Sequence, residues 1–326
     1  MKLIVCVISL AITYTSAVRA PCIELSDGTK MPVVALGTGR GTAKESESVD
    51  EVRKAVFWAI EAGYRHIDTA AIYEDEPQVG QGIADAINQG LVTREELFVT
   101  TKLWSDKHRQ EQVVPALRES LTKLGLNYVD LYLIHFPQAF KPDYSADDVD
   151  YLETWRGMEE AKALGLTRTI GVSNFNASQL DRVIANAKVR PVVNEIEVNP
   201  TLTQIPLVTH CQEQAVAVMA YSPFGFLVSR NTKTAPPPRV DDPLLVSMAK
   251  KYNKTTSQIV LRYLIERGLT PIPKSTNKKR IAENIDLFDF SLTPQEVAQI
   301  SQFNQNVRVI DFADYKDYPY FPFNEA

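Results

Sequence analysis

Residues 48–68 read SVDEVRKAVFWAIEAGYRHID. Val49, Val52, Ala55, Val56, Ala59 and Ile60 recur at helical spacing, which predicts a helix over Ser48–Ala62 with one buried stripe. Arg65–Asp68 then turns to a short strand pattern. The same exchange repeats along the chain. Strand-like runs fall at Val33–Gly37, Arg65–Asp68, Leu97–Leu103, Tyr128–His135, Thr167–Val172, Val192–Glu197, Ala217–Tyr221 and Thr270–Lys274. Helical patterns fall at Gln110–Leu124, Tyr151–Leu164, Ala177–Ala187 and Ser257–Glu266, with Asn176 or Ser178 as a cap for the Ala177 helix. Alternating strand and helix predicts a parallel sheet with helices outside. Eight such units in about 300 residues predict an α/β fold, a closed (β/α)8 TIM barrel.

Three segments stand outside that repeat. Cys22–Val34 reads as a hairpin on the barrel floor, with Asp27-Gly28 as a two-residue turn. Pro223–Pro243, which contains Pro236-Pro237-Pro238, is a long loop and a candidate lid. Asn304–Ala326 is a long C-terminal loop without periodicity, carrying Phe312, Tyr315, Tyr318, Tyr320, Phe321 and Phe323.

Composition narrows the function. The 326 residues are 44% hydrophobic and 23% charged, as in a soluble globular protein. Lys and Arg total 35 against 40 Asp and Glu, a net charge of −5. An acidic chain without a basic run is no nucleic-acid binder. Three cysteines exclude a disulfide scaffold and a four-thiolate zinc site, and no metal site is expected. No apolar run reaches the roughly 18 residues of a membrane span.

Residues 1–17, MKLIVCVISLAITYTSA, have a basic start, a ten-residue apolar stretch and small residues at the end. They read as a cleaved signal peptide, leaving 18–326 as one barrel domain of a secreted protein. A cut after Ala20 is less favoured. The alternative is a buried first strand in a cytoplasmic protein. Whether Cys22 and Cys211 pair is open. The sequons at Asn176 and Asn253 occur at close to chance frequency.

Barrel enzymes place their chemistry at the C-terminal ends of strands. Asp68 ends the second strand, Tyr73 follows it, Lys102 ends the third and His135 ends the fourth. Each alone has an ordinary structural reading: packing for the tyrosine, solvent for the lysine, a core contact for the histidine, a helix cap for the aspartate. On consecutive strands they converge on one spot.

With these residues in place, the sequence from Ile23 onward resembles the aldo-keto reductase family. The motifs are GYRHIDTAAIY at 63–73, FVTTKLW at 98–104, LYLIHFP at 131–137, IGVSNF at 170–175 and IPKSTNKKRIAEN at 272–284. The resemblance implies NADPH-dependent reduction of an aldehyde or ketone to an alcohol. Tyr73 would be the general acid, Lys102 its activating cation, Asp68 the partner of Lys102, and His135 the group that orients the substrate oxygen. A tyrosine has a pKa near 10, and lowering it by about 3 units needs about 4 kcal/mol. A cation about 4 Å away at an effective dielectric of about 20 supplies that much.

The family resemblance also assigns the cofactor residues. Ser173 and Asn174 would hold the nicotinamide carboxamide, Tyr221 would stack on the ring, and Ser222 would lie beside it. Lys274, Ser275 and Thr276 would bind phosphate. Arg280 would pair with the 2′-phosphate, favouring NADP over NAD, and Glu283 and Asn284 would contact adenine. Gly37-Thr-Gly-Arg-Gly imitates a dinucleotide fingerprint, but the third glycine of that motif falls on Thr42. The family uses this loop over the pyrophosphate, which implicates Gly39 and Arg40. Glu195 stands where the family commonly has Gln. An ionised carboxylate there only accepts hydrogen bonds and would favour the oxidised cofactor; the alternative is that it points elsewhere.

Trp104, Phe136 and Phe140 follow strand ends and are expected to wall a pocket for an apolar carbonyl such as a steroid ketone, with the aromatic tail either closing it or packing on the barrel. The tail and the NEIEVNP stretch at 194–200 resemble insect members of the family, some of which reduce 3-oxo ecdysteroids. A monomer is expected. Two other functions stay open: a Schiff-base aldolase using Lys102 or Lys274, and an NADPH-binding protein without turnover. NADPH is scarce outside cells, which sits awkwardly with secretion.

Overall fold

The computed structural model describes residues 20–39, 50–228 and 235–323. The predicted leader 1–17, Arg40, the start of the predicted Ser48–Ala62 helix and part of the predicted lid lie outside them.

The described chain opens with an antiparallel hairpin, β1 (Cys22–Glu24) and β2 (Lys30–Pro32), with Ile23 opposite Met31. The Leu25 N–H donates to Thr29 O at 2.8 Å, so the loop is Ser26-Asp27-Gly28. This corrects the expected two-residue turn. Gly28 sits at φ 84°, a left-handed conformation that glycine adopts without a Cβ clash, as in the three-residue hairpin with a bulge. Leu25 and Met31 bury against Phe98, Val192 and Val193, near the N-terminal ends of their strands. The hairpin therefore plugs the barrel floor, as expected.

The barrel strands are β3 (Leu36–Gly37), β4 (His66–Asp68), β5 (Phe98–Leu103) and β6 (Val129–Ile134). A small hairpin of β7 (Ala139–Phe140) and β8 (Ala146–Asp147) interrupts them, and β9 (Thr167–Ser173), β10 (Val193–Glu197), β11 (Ala217–Tyr221) and β12 (Thr270–Pro271) follow. All eight predicted strands are present, paired in chain order and parallel. The Ala35 N–H donates to Pro271 O and the Gly37 N–H to Pro273 O, both at 3.1 Å, and Gly37 bridges to Lys274. These contacts join the first strand to the last and close the (β/α)8 barrel.

The helices are α1 (Glu51–Ala62), α2 (Glu76–Asn88), α3 (Gln110–Leu124), α4 (Tyr151–Ala163), α5 (Ala177–Asn186), α6 (Ile205–Glu213), α7 (Pro243–Tyr252), α8 (Thr256–Glu266), α9 (Lys278–Ile285) and α10 (Pro294–Ser301). The sequence patterns locate α1, α3, α4, α5 and α8. Asn176 caps α5: its side chain accepts from the Gln179 N–H at 2.9 Å while also donating to Pro322 O at 3.3 Å. Its amide is thus occupied at both ends. Cys22 and Cys211 are both free, one exposed and one buried, so they do not pair.

Strand alternation sorts the side chains into two cores. Ile67, Val99, Tyr132, Ile134 and Ile196 face the helices. Phe98, Leu131, Leu133, Val193 and Met219 fill the barrel interior. By the same alternation Asp68, Lys102, Glu195 and Glu197 point inward, nearer the C-terminal ends than the apolar layer.

Candidate active site

Lys102 is the hub of the inward-facing polar layer. Its Nζ donates to Asp68 Oδ1 at 2.5 Å and Thr69 O at 3.1 Å, and pairs with Glu195 Oε1 at 3.3 Å. The side chain of Lys102 is 0% exposed, and those of Asp68 and Glu195 are 3% exposed. Tyr73 lies in a single 3-10 turn, Ala71–Tyr73, just after β4. Its loop is pinned by the Thr69 hydroxyl, which donates to Asp75 Oδ1 at 2.8 Å. The Lys102 ammonium is 5.4 Å from the Tyr73 ring centre. His135 follows β6, with its ring edge-on to Tyr73 at 5.6 Å and to Trp104 at 5.2 Å. The four predicted residues do converge.

Burial is the largest influence on every charge here. It pulls Lys102 down, but Asp68, Glu195 and Tyr73 together hold it above its ordinary value, so it stays an ammonium. It pulls His135 well down, aided by the Lys102 charge, so the imidazole is neutral. It pushes Glu195 well up, and the Asp68 charge pushes it further, against the pull of Lys102. The Tyr73 hydroxyl is also raised: burial leads, Lys102 lowers it, and Asp68, Glu195 and Asp75 raise it again. The expectation that Lys102 brings Tyr73 toward neutrality is corrected for the described residues. The cation is present and lowers the hydroxyl, but burial outweighs it and the neighbouring carboxylates oppose it.

The predicted nicotinamide wall is contiguous with this cluster. Ser173 Oγ and the Asn174 N–H donate to Glu195 O at 2.8 and 2.9 Å. Asn174 Nδ2 donates to His135 O at 2.9 Å, and the Tyr221 hydroxyl donates to Asn174 Oδ1 at 2.7 Å. Ser222, at φ 45°, then turns the chain away. The Glu195 side chain pairs with Lys102 beside this wall. Burial and the Asp68 charge also push its carboxyl well above the usual range, which works against an ionised carboxylate there.

Across the mouth, Lys274 and Arg280 are exposed, Thr276 and Glu283 are half-buried, and Ser275 and Asn284 are buried. Ser275 Oγ accepts from the Asn277 N–H at 3.1 Å, and Asn277 caps α9. A Cβ on Gly39 would lie 3.0 Å from Tyr73 Cζ, so glycine keeps this edge of the mouth open. A flat half-buried tyrosine at one end and a lysine–arginine pair flanking a helix start at the other fit a phosphorylated dinucleotide.

The aromatic residues divide. Trp104 and Phe140 line a cavity of about 290 Å³ with Ala71, Ile72 and Tyr144. Phe136 is buried beneath the tail, 4.6 Å from Phe312 and 5.8 Å from Phe323. The tail is held by residues that the sequence reading missed. Gln138 Nε2 donates to the carbonyls of Tyr315, Tyr318 and Pro319, each at 3.1 Å. Glu197 accepts from the Val309 and Ile310 N–H groups at 2.7 and 3.0 Å. A signal for Glu197 existed: Glu195 and Glu197, two apart on a strand, must share the interior face.

A closed barrel with a tyrosine, a paired lysine and a neutral histidine at its C-terminal mouth defines a proton-donating enzyme site. The model of the aldo/keto reductase family matches residues 33–305, and the chain belongs to that family. It is 71% identical over 306 residues to the Bombyx mori aldo-keto reductase AKR2E4, spanning 94% of this chain and 99% of that protein. The crystal structure of AKR2E4 in complex with NADP superposes with a TM-score of 0.93, covering 94% of this chain and 100% of that one. AKR2E5 complexed with NADPH, 43% identical, gives 0.92 and covers 94% of each chain. The Bos taurus aldo-keto reductase family 1 member A1 is 42% identical over 303 residues, covering 89% of this chain and 91% of that protein.

Proposed function

We propose that this NADP(H)-dependent oxidoreductase reduces an apolar, steroid-like ketone or aldehyde, with 3-oxo ecdysteroids as the leading class. The observation that carries the reaction type is Tyr73 beside the buried Lys102–Asp68 pair and the neutral His135. The aromatic tail over Phe136 and Phe140 supports the apolar class.

NADPH supplies a hydride when bound. Ser173, Asn174 and Tyr221 would hold its nicotinamide end, and Lys274, Ser275, Thr276 and Arg280 its phosphates. His135 donates a hydrogen bond to the carbonyl oxygen. Its raised pKa keeps Tyr73 protonated, and it passes that proton to the same oxygen as negative charge develops there. Lys102 then stabilises the phenolate. A Schiff-base role for Lys102 is disfavoured, because its ion pair with Asp68 keeps it charged, whereas a nucleophilic lysine must be a free amine.

The test follows NADPH absorbance with 3-dehydroecdysone, a steroid ketone, an aromatic aldehyde, an aldose and no substrate. Turnover led by the ketosteroids, and lost in Tyr73→Phe, is expected. A preference for the aldose would overturn the substrate class. We also propose export, supported by the pattern of residues 1–17. N-terminal sequencing of protein from secreting cells should begin near Val18; an intact Met1 in the cytosol would refute export.

A further inference from the structure

Asp68 and Glu195 approach the same ammonium from neighbouring positions, and both are nearly free of solvent. Asp68 Oδ1 and Glu195 Oε1 lie 2.5 and 3.3 Å from the same Lys102 Nζ, and among the described residues neither Asp68 Oδ2 nor Glu195 Oε2 has a hydrogen-bond partner. Two buried like charges served by one cation cannot both stay ionised.

We propose that Asp68 and Glu195 hold one proton between them over Lys102, and that binding the oxidised nicotinamide expels it, whereas binding the reduced form does not. Glu195 is then a positioning residue that acts through Lys102 and Tyr73. With the proton in place the Lys102–Asp68–Glu195 unit is neutral, and a Tyr73 phenolate brings it to one negative charge. Without the proton, the phenolate would make two. Reduction therefore needs the proton to stay.

The backbone carbonyl of Glu195 anchors Ser173 and Asn174, and its side chain lies close enough to Tyr221 and Tyr73 to raise both. A positive ring on that wall faces Glu195 and favours its ionised form. A neutral dihydronicotinamide offers no such pull. The groups facing Glu195 are Asp68 from β4, Lys102 from β5, and Tyr73 and Tyr221 at the mouth. Asp75 acts on Tyr73, Glu197 and Arg308 act in opposite senses on Tyr221, and His135 is neutral.

The inference rests on Ser173, Asn174 and Tyr221 forming the nicotinamide wall. Calorimetric titrations of NADP+ and NADPH, each in two buffers of different ionisation enthalpy, measure protons released per binding event. The 2′-phosphate contributes equally to both nucleotides and cancels in the difference. Near neutral pH, NADP+ should release up to about one proton more than NADPH, and its relative affinity should rise by up to about tenfold per pH unit. Glu195→Gln should abolish both differences. A wild-type difference of zero, or one unchanged in Glu195→Gln, overturns the proposal. Infrared spectra need only the wild type: a protonated-carboxyl stretch should be present in the free protein and fade with NADP+. Its absence from the free protein is equally fatal. Failure of both nucleotides to bind would instead refute the cofactor reading itself.

Discussion

Tyr73 is a weak acid that its surroundings make weaker, and its proton leaves only when the substrate oxygen can take it. Tyr73→Phe removes one hydroxyl and keeps the ring beside His135. It should lower kcat by about 10²–10⁴, the usual worth of a positioned acid, while fluorescence titration finds NADPH affinity within about threefold, about 0.7 kcal/mol. Equal loss of binding would move Tyr73 from acid to cofactor contact. Lys102→Met is harsher, since it leaves two buried carboxyl groups without their cation. Removing one member of a buried pair costs about 3–5 kcal/mol, so the urea midpoint should fall clearly; an unchanged midpoint would show that both carboxylates protonate at no cost. At this scale the sequence carried the tetrad, because each member ends or follows a strand with a strong apolar pattern. It could not carry the meeting of Glu195 and Asp68 on one ammonium, which brings β10, β4 and β5 together in a way no local spacing encodes.

Among the elements, the C-terminal segment shows how an irregular stretch becomes a fixed wall. It has no periodicity because its backbone groups bond side chains rather than a ladder. Gln138 takes three of its carbonyls, Gln179 donates to Tyr320 O at 2.8 Å, and Glu197 takes two N–H groups. Each such bond contributes about 0.5–1.5 kcal/mol. Gln138→Ala should therefore raise amide exchange across 315–320 by at least about tenfold and raise KM for bulky ketones more than for small aldehydes. Uniform KM effects would mean that the tail does not touch substrate. The helices that sequence reading missed have a related cause. In α2, Pro77, Gly80 and Gly82 dilute the apolar stripe. The two glycines are there for tertiary reasons, since a Cβ on Gly80 would strike the Leu124 carbonyl and one on Gly82 the Arg53 carbonyl. The other missed helices run only eight to ten residues, too few for a period to stand out.

The molecule as a whole inherits a pH response from two buried histidines that the proposed reaction does not use. His66 lies on the interior face of β4, edge-on to Phe98 at 4.6 Å, with Nε2 2.9 Å from Thr100 Oγ1. His108 precedes α3, 2% exposed, and among the described residues neither ring nitrogen has a hydrogen-bond partner. Burial pulls both down to about 3, whereas an unfolded histidine titrates near 6.5. Above about pH 6.5 both states are neutral and neither histidine affects stability. As pH falls from there toward about 3, the unfolded chain takes up protons that the folded barrel refuses. Each histidine then costs up to about 1.4 kcal/mol per pH unit. Glu76 and Glu197 tilt the curve the other way, because burial raises their carboxyls and their contribution fades as pH rises through the folded values. The histidine share is isolated by His108→Leu, which removes a titrating ring that makes no hydrogen bond. Urea unfolding at pH 4.5, 5.5, 6.5 and 7.5 should show the variant losing stability less steeply than the wild type below pH 6.5, by up to about 1.4 kcal/mol per unit. The two slopes should coincide above that. Parallel curves throughout would mean that His108 is already protonated or solvated in the folded protein, and the acid limb would then belong to His66, His135 and the carboxyls that the fold lowers, such as Asp150 and Glu296.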